Sequence, residues 1–212
     1  MRFAIRSFAA ILFLSACSAA TAEKPADKPS ADPKETPLEL SITGKVVKFT
    51  LDTGDLTPAE YQKKIEDAAK AKNGRPPATP TVDLAIEIKN TSDKAVMVWS
   101  KGDHVVLELE LKGKGAVTAN PNLAFTREFR LPVAVEIAPG KSLSIPVKSL
   151  TSGFRGASKF TYWTAAGDYE LVAKFKTGMD PAPKGATDAG DGFGTVTLTS
   201  APLKVTVEEK KK

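Results

Sequence analysis

The sequence predicts an all-β chain, an antiparallel β-sandwich with one short helix inserted between its first strands. Three observations predict it. Apolar and polar residues alternate with period two along most of the chain after residue 37, the signature of half-buried strands. Turn-forming clusters of Gly, Pro, Asn and Asp separate these runs into nine or so short segments, a spacing typical of sandwiches. A single stretch, near residues 58–71, shows helical spacing instead.

The chain starts with a different kind of segment. Arg2 and Arg6 are its only charges before residue 17, and an apolar run follows from Phe8 to Leu14. A basic start and a short apolar stretch form the pattern of a secretory signal. The run is too short to span a bilayer, which needs about 20 apolar residues. Leu14-Ser15-Ala16-Cys17 then resembles the bacterial lipobox, an aliphatic residue, two small residues and a cysteine. The resemblance implies cleavage before Cys17, diacylation of its thiol and acylation of the new amino terminus. With Ser18 rather than Asp following, it implies sorting to the outer membrane of a diderm cell, facing the periplasm or the cell surface. The alternative is an ordinary signal peptide cut near Ala19–Thr21, with Cys17 discarded. Cys17 is the only cysteine in the chain, so a disulfide within one molecule is impossible. Two or three acyl chains would anchor stably where one would be marginal.

Residues 17–37 read as a tether. After Cys17 they contain four prolines, many charges and no large apolar residue, too little apolar surface to order on their own. About 175 residues remain, enough for one domain with a core. The organisation expected is a signal at 1–16, a tether at 17–37, a sandwich domain at 38–208 and a charged tail at 209–212. Loss of Arg2 and Arg6 lowers the 30 basic residues to 28, against 25 acidic ones. Both signs are interspersed, as on a solvated surface. No nucleic-acid partner is expected, and an export signal argues against one.

The strands follow in order. Leu38, Leu40 and Ile42 share one face; Val47, Phe49 and Leu51 form a second run after Gly44. Thr57-Pro58-Ala59-Glu60 supplies an N-cap, a proline at the first helical position and a glutamate at the third. Tyr61, Ile65 and Ala68 or Ala69 fall on one face, predicting a helix from Pro58 to about Ala71. Asn73-Gly74 ends it, and Pro76, Pro77 and Pro80 bar its continuation. Val82, Leu84, Ile86 and Ile88 form the next face. Asn90-Thr-Ser-Asp93 is a turn cluster, since these side chains bond their own backbone; Asn90-Thr-Ser92 also matches a glycosylation sequon, read here as a turn. Further runs are Val96–Val98, with Trp99 in the core, Val105–Leu111, Leu123–Phe129, Val133–Ile137, Leu143–Val147, Tyr169–Phe175, Val196–Leu198 and Leu203–Val207.

Ala165-Ala-Gly-Asp-Tyr169 places a tyrosine at a strand start just after a glycine turn. This resembles the tyrosine corner of immunoglobulin-like domains. Together with Asn90–Val96 and Pro139-Gly140, it resembles bacterial immunoglobulin-like domains, including those similar to the intracellular proteinase inhibitor family, over residues 81–176. The resemblance implies an immunoglobulin-like fold and says little of activity. Uncharacterised envelope lipoproteins of this class are similar in overall plan.

Catalytic equipment is sparse. His104 is the only histidine, and most acid–base chemistry and most transition-metal sites lean on histidine. A triad would need His104 with neighbours such as Ser100 and Asp103, residues of one turn. Glu108 and Glu110 share a strand face at about 7 Å. That spacing suits a glycosidase pair in distance alone, and the solvated face of a half-buried strand is the favoured reading. No enzyme is expected.

Two segments are candidates for contact. Ser152-Gly-Phe-Arg-Gly156 with Tyr162 and Trp163 offers Phe154, Arg155, Tyr162 and Trp163, aromatics beside a cation that can stack on a glycan or dock a protein. Covering the open edge of the sandwich is the reading these aromatics favour over ligand contact. Residues 177–194 form the longest unpatterned stretch, and Phe193 lies in it; loops this long are functional or disordered. Asp180, Asp188 and Asp191 offer oxygen ligands for calcium, although the spacing is not that of an EF-hand loop. No other cofactor is expected. The function expected is a membrane-anchored, non-enzymatic envelope module that binds an envelope protein or glycan or serves structurally. The alternatives are a protease-inhibitor-like domain and a carboxylate hydrolase.

Overall fold

The computed structural model describes residues 36–72, 74–103, 105–121, 123–124, 128–154, 156–184, 186–188 and 193–210. Cys17, the tether up to residue 35, His104, Arg155 and Asp191 lie outside these residues. In chain order the strands are β1 (Leu38–Gly44), β2 (Lys48–Leu51), β3 (Thr81–Asn90), β4 (Val96–Lys101), β5 (Val106–Gly113), β6 (Ala116–Ala119) and β7 (Val133–Ile137). They continue as β8 (Ser142–Ser149), β9 (Thr151–Phe154), β10 (Ala157–Trp163), β11 (Gly167–Asp180), β12 (Thr187–Asp188), β13 (Gly194–Thr199) and β14 (Leu203–Glu209). One helix, α1 (Pro58–Lys70), lies between β2 and β3. No helix among the described residues is long and apolar enough to cross a membrane.

The chain is an all-β, immunoglobulin-like sandwich. A three-stranded antiparallel sheet, β1-β3-β8, packs over a larger sheet whose spine is β11. One side of β11 pairs with β5 over Tyr169–Lys176 and then with β4 at Met179 and Asp180. The other side pairs with β14 and then β13. Between those two strands the ladder is interrupted at Ala173. Ser200 bridges the break: its N–H donates to the Ala173 carbonyl at 2.9 Å, and its Oγ accepts from the Ala173 N–H at 3.0 Å. Both backbone groups of Ala173 are thus satisfied in the buried interior, where an unpaired one would be costly.

Period-two patterning explains the core. Leu38, Leu40 and Ile42 of β1 and Val82, Leu84, Ile86 and Ile88 of β3 point inward from the small sheet. Leu109, Leu111, Leu171, Phe175, Val196, Leu198, Val205 and Val207 meet them from the large one. The C-terminal strand is held on both edges, since β14 also pairs in parallel with β2 from Thr206↔Lys48 to Glu209↔Leu51.

Helix α1 begins as the sequence requires. The Thr57 Oγ1 accepts from the Glu60 N–H at 3.3 Å, and the Glu60 carboxylate accepts from the Thr57 N–H at 2.8 Å. This reciprocal box satisfies two donors that a helix start leaves free. Ile65 is fully buried and packs with Ala119 and Tyr162, flanked by Tyr61, Ala69, Val117 and Phe160. The helix therefore lies on the side of β6 and β10 away from the main core.

The structure corrects three sequence expectations. The described residues of 123–129 form no strand; Phe129 and Leu131 are largely exposed, and residues 125–127 lie outside the described residues. Four strands, β6, β9, β10 and β12, stand where the sequence predicts none, the last of them inside the stretch 177–194. Tyr162 and Trp163, offered as contact candidates although packing is the reading the sequence favours, are buried because β10 is covered on both sides, by the sandwich core and by α1.

Candidate functional site

The aromatic residues divide by position. Tyr162 points to the helix side, and its hydroxyl donates to the Pro77 carbonyl at 2.7 Å. Burial pushes its pKa well above the ordinary tyrosine value. Trp163 points to the core, stacks on Phe49 with ring centroids 5.0 Å apart and lies 6.5 Å from Tyr169. Neither can meet a partner. Phe193 is half-buried and packs on Trp99 at 4.2 Å; Trp99 is buried and lies over Gly178. Phe193 thus caps the end of the sandwich. Phe154 differs from all of these, being 55% exposed at the end of β9.

Phe154 stands on a groove of about 440 Å³ between β9 and the segment before β7. Pro121, Leu123, Ala124 and Arg130 line it from that segment; Thr151, Ser152, Gly153, Gly156 and Ser158 line it from the β9–β10 hairpin. Gly153 has φ +90, and a Cβ there would collide with the Ala157 carbonyl, so the hairpin needs glycine. Ser152 is 8% exposed, and its Oγ has no hydrogen-bond partner among the described residues. Arg130 is anchored by its backbone, whose N–H donates to the Asp103 carboxylate at 2.9 Å.

The carboxylate pair sits elsewhere, on the outer face of the large sheet. Glu108 pairs with Lys159 at 3.2 Å and Glu110 with Lys174 at 3.2 Å. The Lys174 ammonium, hydrogen-bonded to Glu110, holds its carboxyl below the ordinary range. A general acid needs the opposite shift, so the environment of Glu110 is that of a charge ladder on a solvated face.

Of the three aspartates considered for calcium, only the Asp180 side chain is described; it is exposed and its backbone pairs with Met97. The side chain of Asp188 and the whole of Asp191 lie outside the described residues. No group of three metal-ligating side chains occurs among the residues described. Ser100 Oγ donates to the Val133 carbonyl at 3.1 Å, so its proton is engaged in tying β4 to β7.

Sequence reasoning found Phe154, through its place beside glycine and arginine. It missed Ser152 and Arg130, whose importance depends on what the fold brings to them. No protein-family model matches the chain, and no curated protein matches it. Among solved structures, the chain is similar to the ASH/PapD-like domain of human CEP192 (PapD-like domain 7). That similarity has 12% sequence identity, covers 89% of this chain and 97% of that one, and has a TM-score of 0.25.

Proposed function

We propose that the chain is an exported, lipid-tethered and non-enzymatic envelope module whose immunoglobulin-like body recognises a partner at the β9 groove. The observation that carries the recognition reading is Phe154, a large aromatic side chain left 55% exposed at the rim of a groove. Exposed aromatics in concave surroundings are favoured contact residues, because they supply apolar area at low entropic cost.

The tether reading is supported by the order of segments. A basic and apolar start, then Leu14-Ser15-Ala16-Cys17, then a proline-rich stretch precede β1, which opens at Leu38. Acyl chains on Cys17 would hold the body at a membrane surface, with the stretch between as spacer. In a diderm cell, that surface is the outer membrane.

The tether is tested by expressing the full chain and its Cys17→Ser variant in a bacterium, labelling with palmitate and partitioning in Triton X-114. The wild type enters the detergent phase carrying label, with a mature amino terminus at Cys17. The variant stays aqueous and unlabelled. A variant that partitions with the parent overturns the tether.

A further inference from the structure

We infer that the body docks on the lipid surface along β7, with Phe129, Leu131 and Val133 dipped into the lipid; this rests on the tether reading above. The three side chains are 59%, 77% and 48% exposed. They alternate along the single run of chain that enters β7. Exposed apolar residues scattered singly need no account, but a contiguous set of them marks a contact surface. The run is also pinned to the body. The Arg130 N–H donates to the Asp103 carboxylate at 2.9 Å, and the Arg130 carbonyl accepts from the Asp103 N–H at 3.2 Å. Pro132 packs against Gly102, where a Cβ would stand 2.7 Å from the Pro132 Cα.

The tether joins the body beside this same strand, and that placement points to lipid. The Pro37 carbonyl accepts from the Thr91 N–H at 2.9 Å. The neighbouring Asn90 amide donates to the carbonyl of Ile137, the last residue of β7. Val133 opens that strand, about 13 Å from Ile137 at the rise of a β-strand. The chain from Ser18 to Pro37 spans at most about 70 Å. An acylated Cys17 therefore leaves the edge of β7 free to settle on the membrane. Three apolar side chains hold a free protein to lipid only weakly. A tether makes the contact intramolecular, and its high local concentration populates a contact that would otherwise be rare.

Charge adds no preference among lipids. Residues 91–103 carry two lysines and two aspartates, and residues 128–141 carry one arginine, one lysine and two glutamates. Without a basic excess there is no pull toward anionic headgroups, so the docking is apolar. A partner strand fits this edge less well. Among the described residues β7 pairs with β4 alone, but it has only five residues. Pro132, just before it, has no N–H to give, and Glu136 places an exposed charge on it. Short length, proline and charge blunt an edge against strand addition.

The experiment places the fluorophore NBD on the acylated full chain at Leu131→Cys and, in a second preparation, at Val46→Cys. Each is reconstituted through its acyl anchor into phosphatidylcholine vesicles with or without phosphatidylglycerol. Acylation blocks Cys17, so only the introduced thiol reacts. Val46 is 51% exposed in the turn after β1, at the end of that strand away from Pro37. The Leu131 label should emit further to the blue than the Val46 label. Lipid carrying a spin label in its acyl chain should quench it several-fold more, equally with and without phosphatidylglycerol. Val133→Asp in the Leu131-labelled chain should return the label to water; the comparison of the two labels stands whether or not that variant folds. A chain that floats with the vesicles while its Leu131 label is no deeper than the Val46 label overturns the docking and leaves the tether standing. A Leu131 label that enters lipid only with phosphatidylglycerol overturns docking by apolar contact. A chain that carries no palmitate and does not float overturns both readings.

Discussion

The side-chain amide of Asn90 donates to the carbonyl of Ile137 at 2.8 Å, joining the last residue of β3 in the small sheet to the last residue of β7 in the large one. The second amide proton goes to the Lys94 carbonyl at 2.7 Å, and Oδ1 accepts from both the N–H and the hydroxyl of Ser92. Asn90 is fully buried, and every one of these bonds is internal. Asparagine is the natural residue here, because one planar amide both closes a turn and bridges two sheets. The same engagement leaves its nitrogen no access to a glycan donor in the folded state.

Replacing Asn90 by Ala takes the side-chain partner from the Ile137 carbonyl and the Ser92 N–H, while the Ser92 hydroxyl and the Lys94 carbonyl keep their own bond at 2.9 Å. Each buried unpaired group costs about 1–3 kcal/mol, part of which water or local movement recovers. Asn90→Ala should therefore destabilise by on the order of 3 kcal/mol, read as a lower urea midpoint at unchanged slope. A loss within the scatter of surface substitutions, about 0.5 kcal/mol, would show that the bridge is incidental.

Tyr169 makes a comparable connection within one end of the sandwich. Its hydroxyl lies 2.7 Å from the carbonyls of both Ala165 and Lys114, and its single proton is shared between them. The residue is 2% exposed. Tyr169→Phe keeps the ring and removes the proton, so it should cost about 1–2 kcal/mol, measured by thermal melting. Tyr162→Phe, whose partner is the Pro77 carbonyl alone, should cost less.

The success of the sequence at Tyr169 and Asn90 has a physical basis. Turn chemistry is local, and the residues that make a turn stand next to each other in the chain. The strands were legible for a related reason wherever a sheet buries one face, as in β1, β3 and β5. Strand β10 was not, because Thr161, Tyr162 and Trp163 are all buried and alternation vanishes when both faces are covered. Strand β9 has four residues with Gly153 among them, too short for a period to show. The site was half legible: Phe154 stands out as an aromatic in a glycine-rich run. The hydroxyl of Ser152, buried without a partner among the described residues, and the place of Arg130 on the groove are properties of the folded surroundings, which no spacing encodes.

Ile65 anchors α1 on β6 and β10 and is fully buried. The charged outer face of the helix adds little by comparison, since exposed pairs such as Lys63–Asp67 are screened by solvent. Ile65→Ala should cost about 2–5 kcal/mol. Because the cluster it belongs to is separate from the main core, amide exchange should quicken in α1 before it does in β11. Uniform acceleration across both would show that the helix and the sandwich open as one unit.

The Glu108–Glu110 face gives a pH dependence with a definite sign. Glu110 has its carboxyl pKa lowered, first by its hydrogen bond to Lys174 and then by the charges of Lys174 and Lys112. A group with a folded pKa below its unfolded value binds fewer protons when folded. Its stabilising contribution is present above the unfolded value, near 4.5, and is lost as the pH falls through the lower folded value. Glu110 is nearly half exposed, so solvent screening limits the contribution to about 1 kcal/mol or less. Glu110→Gln should thus leave a molecule slightly less stable than wild type at pH 7, with the difference shrinking as the pH falls below about 4. Added salt should shrink it too. Urea melts at pH 7 and pH 3, each at low and high salt, measure this; a deficit that grows toward acid would mean that Glu110 acts as a proton carrier in the folded state rather than as a partner for lysine.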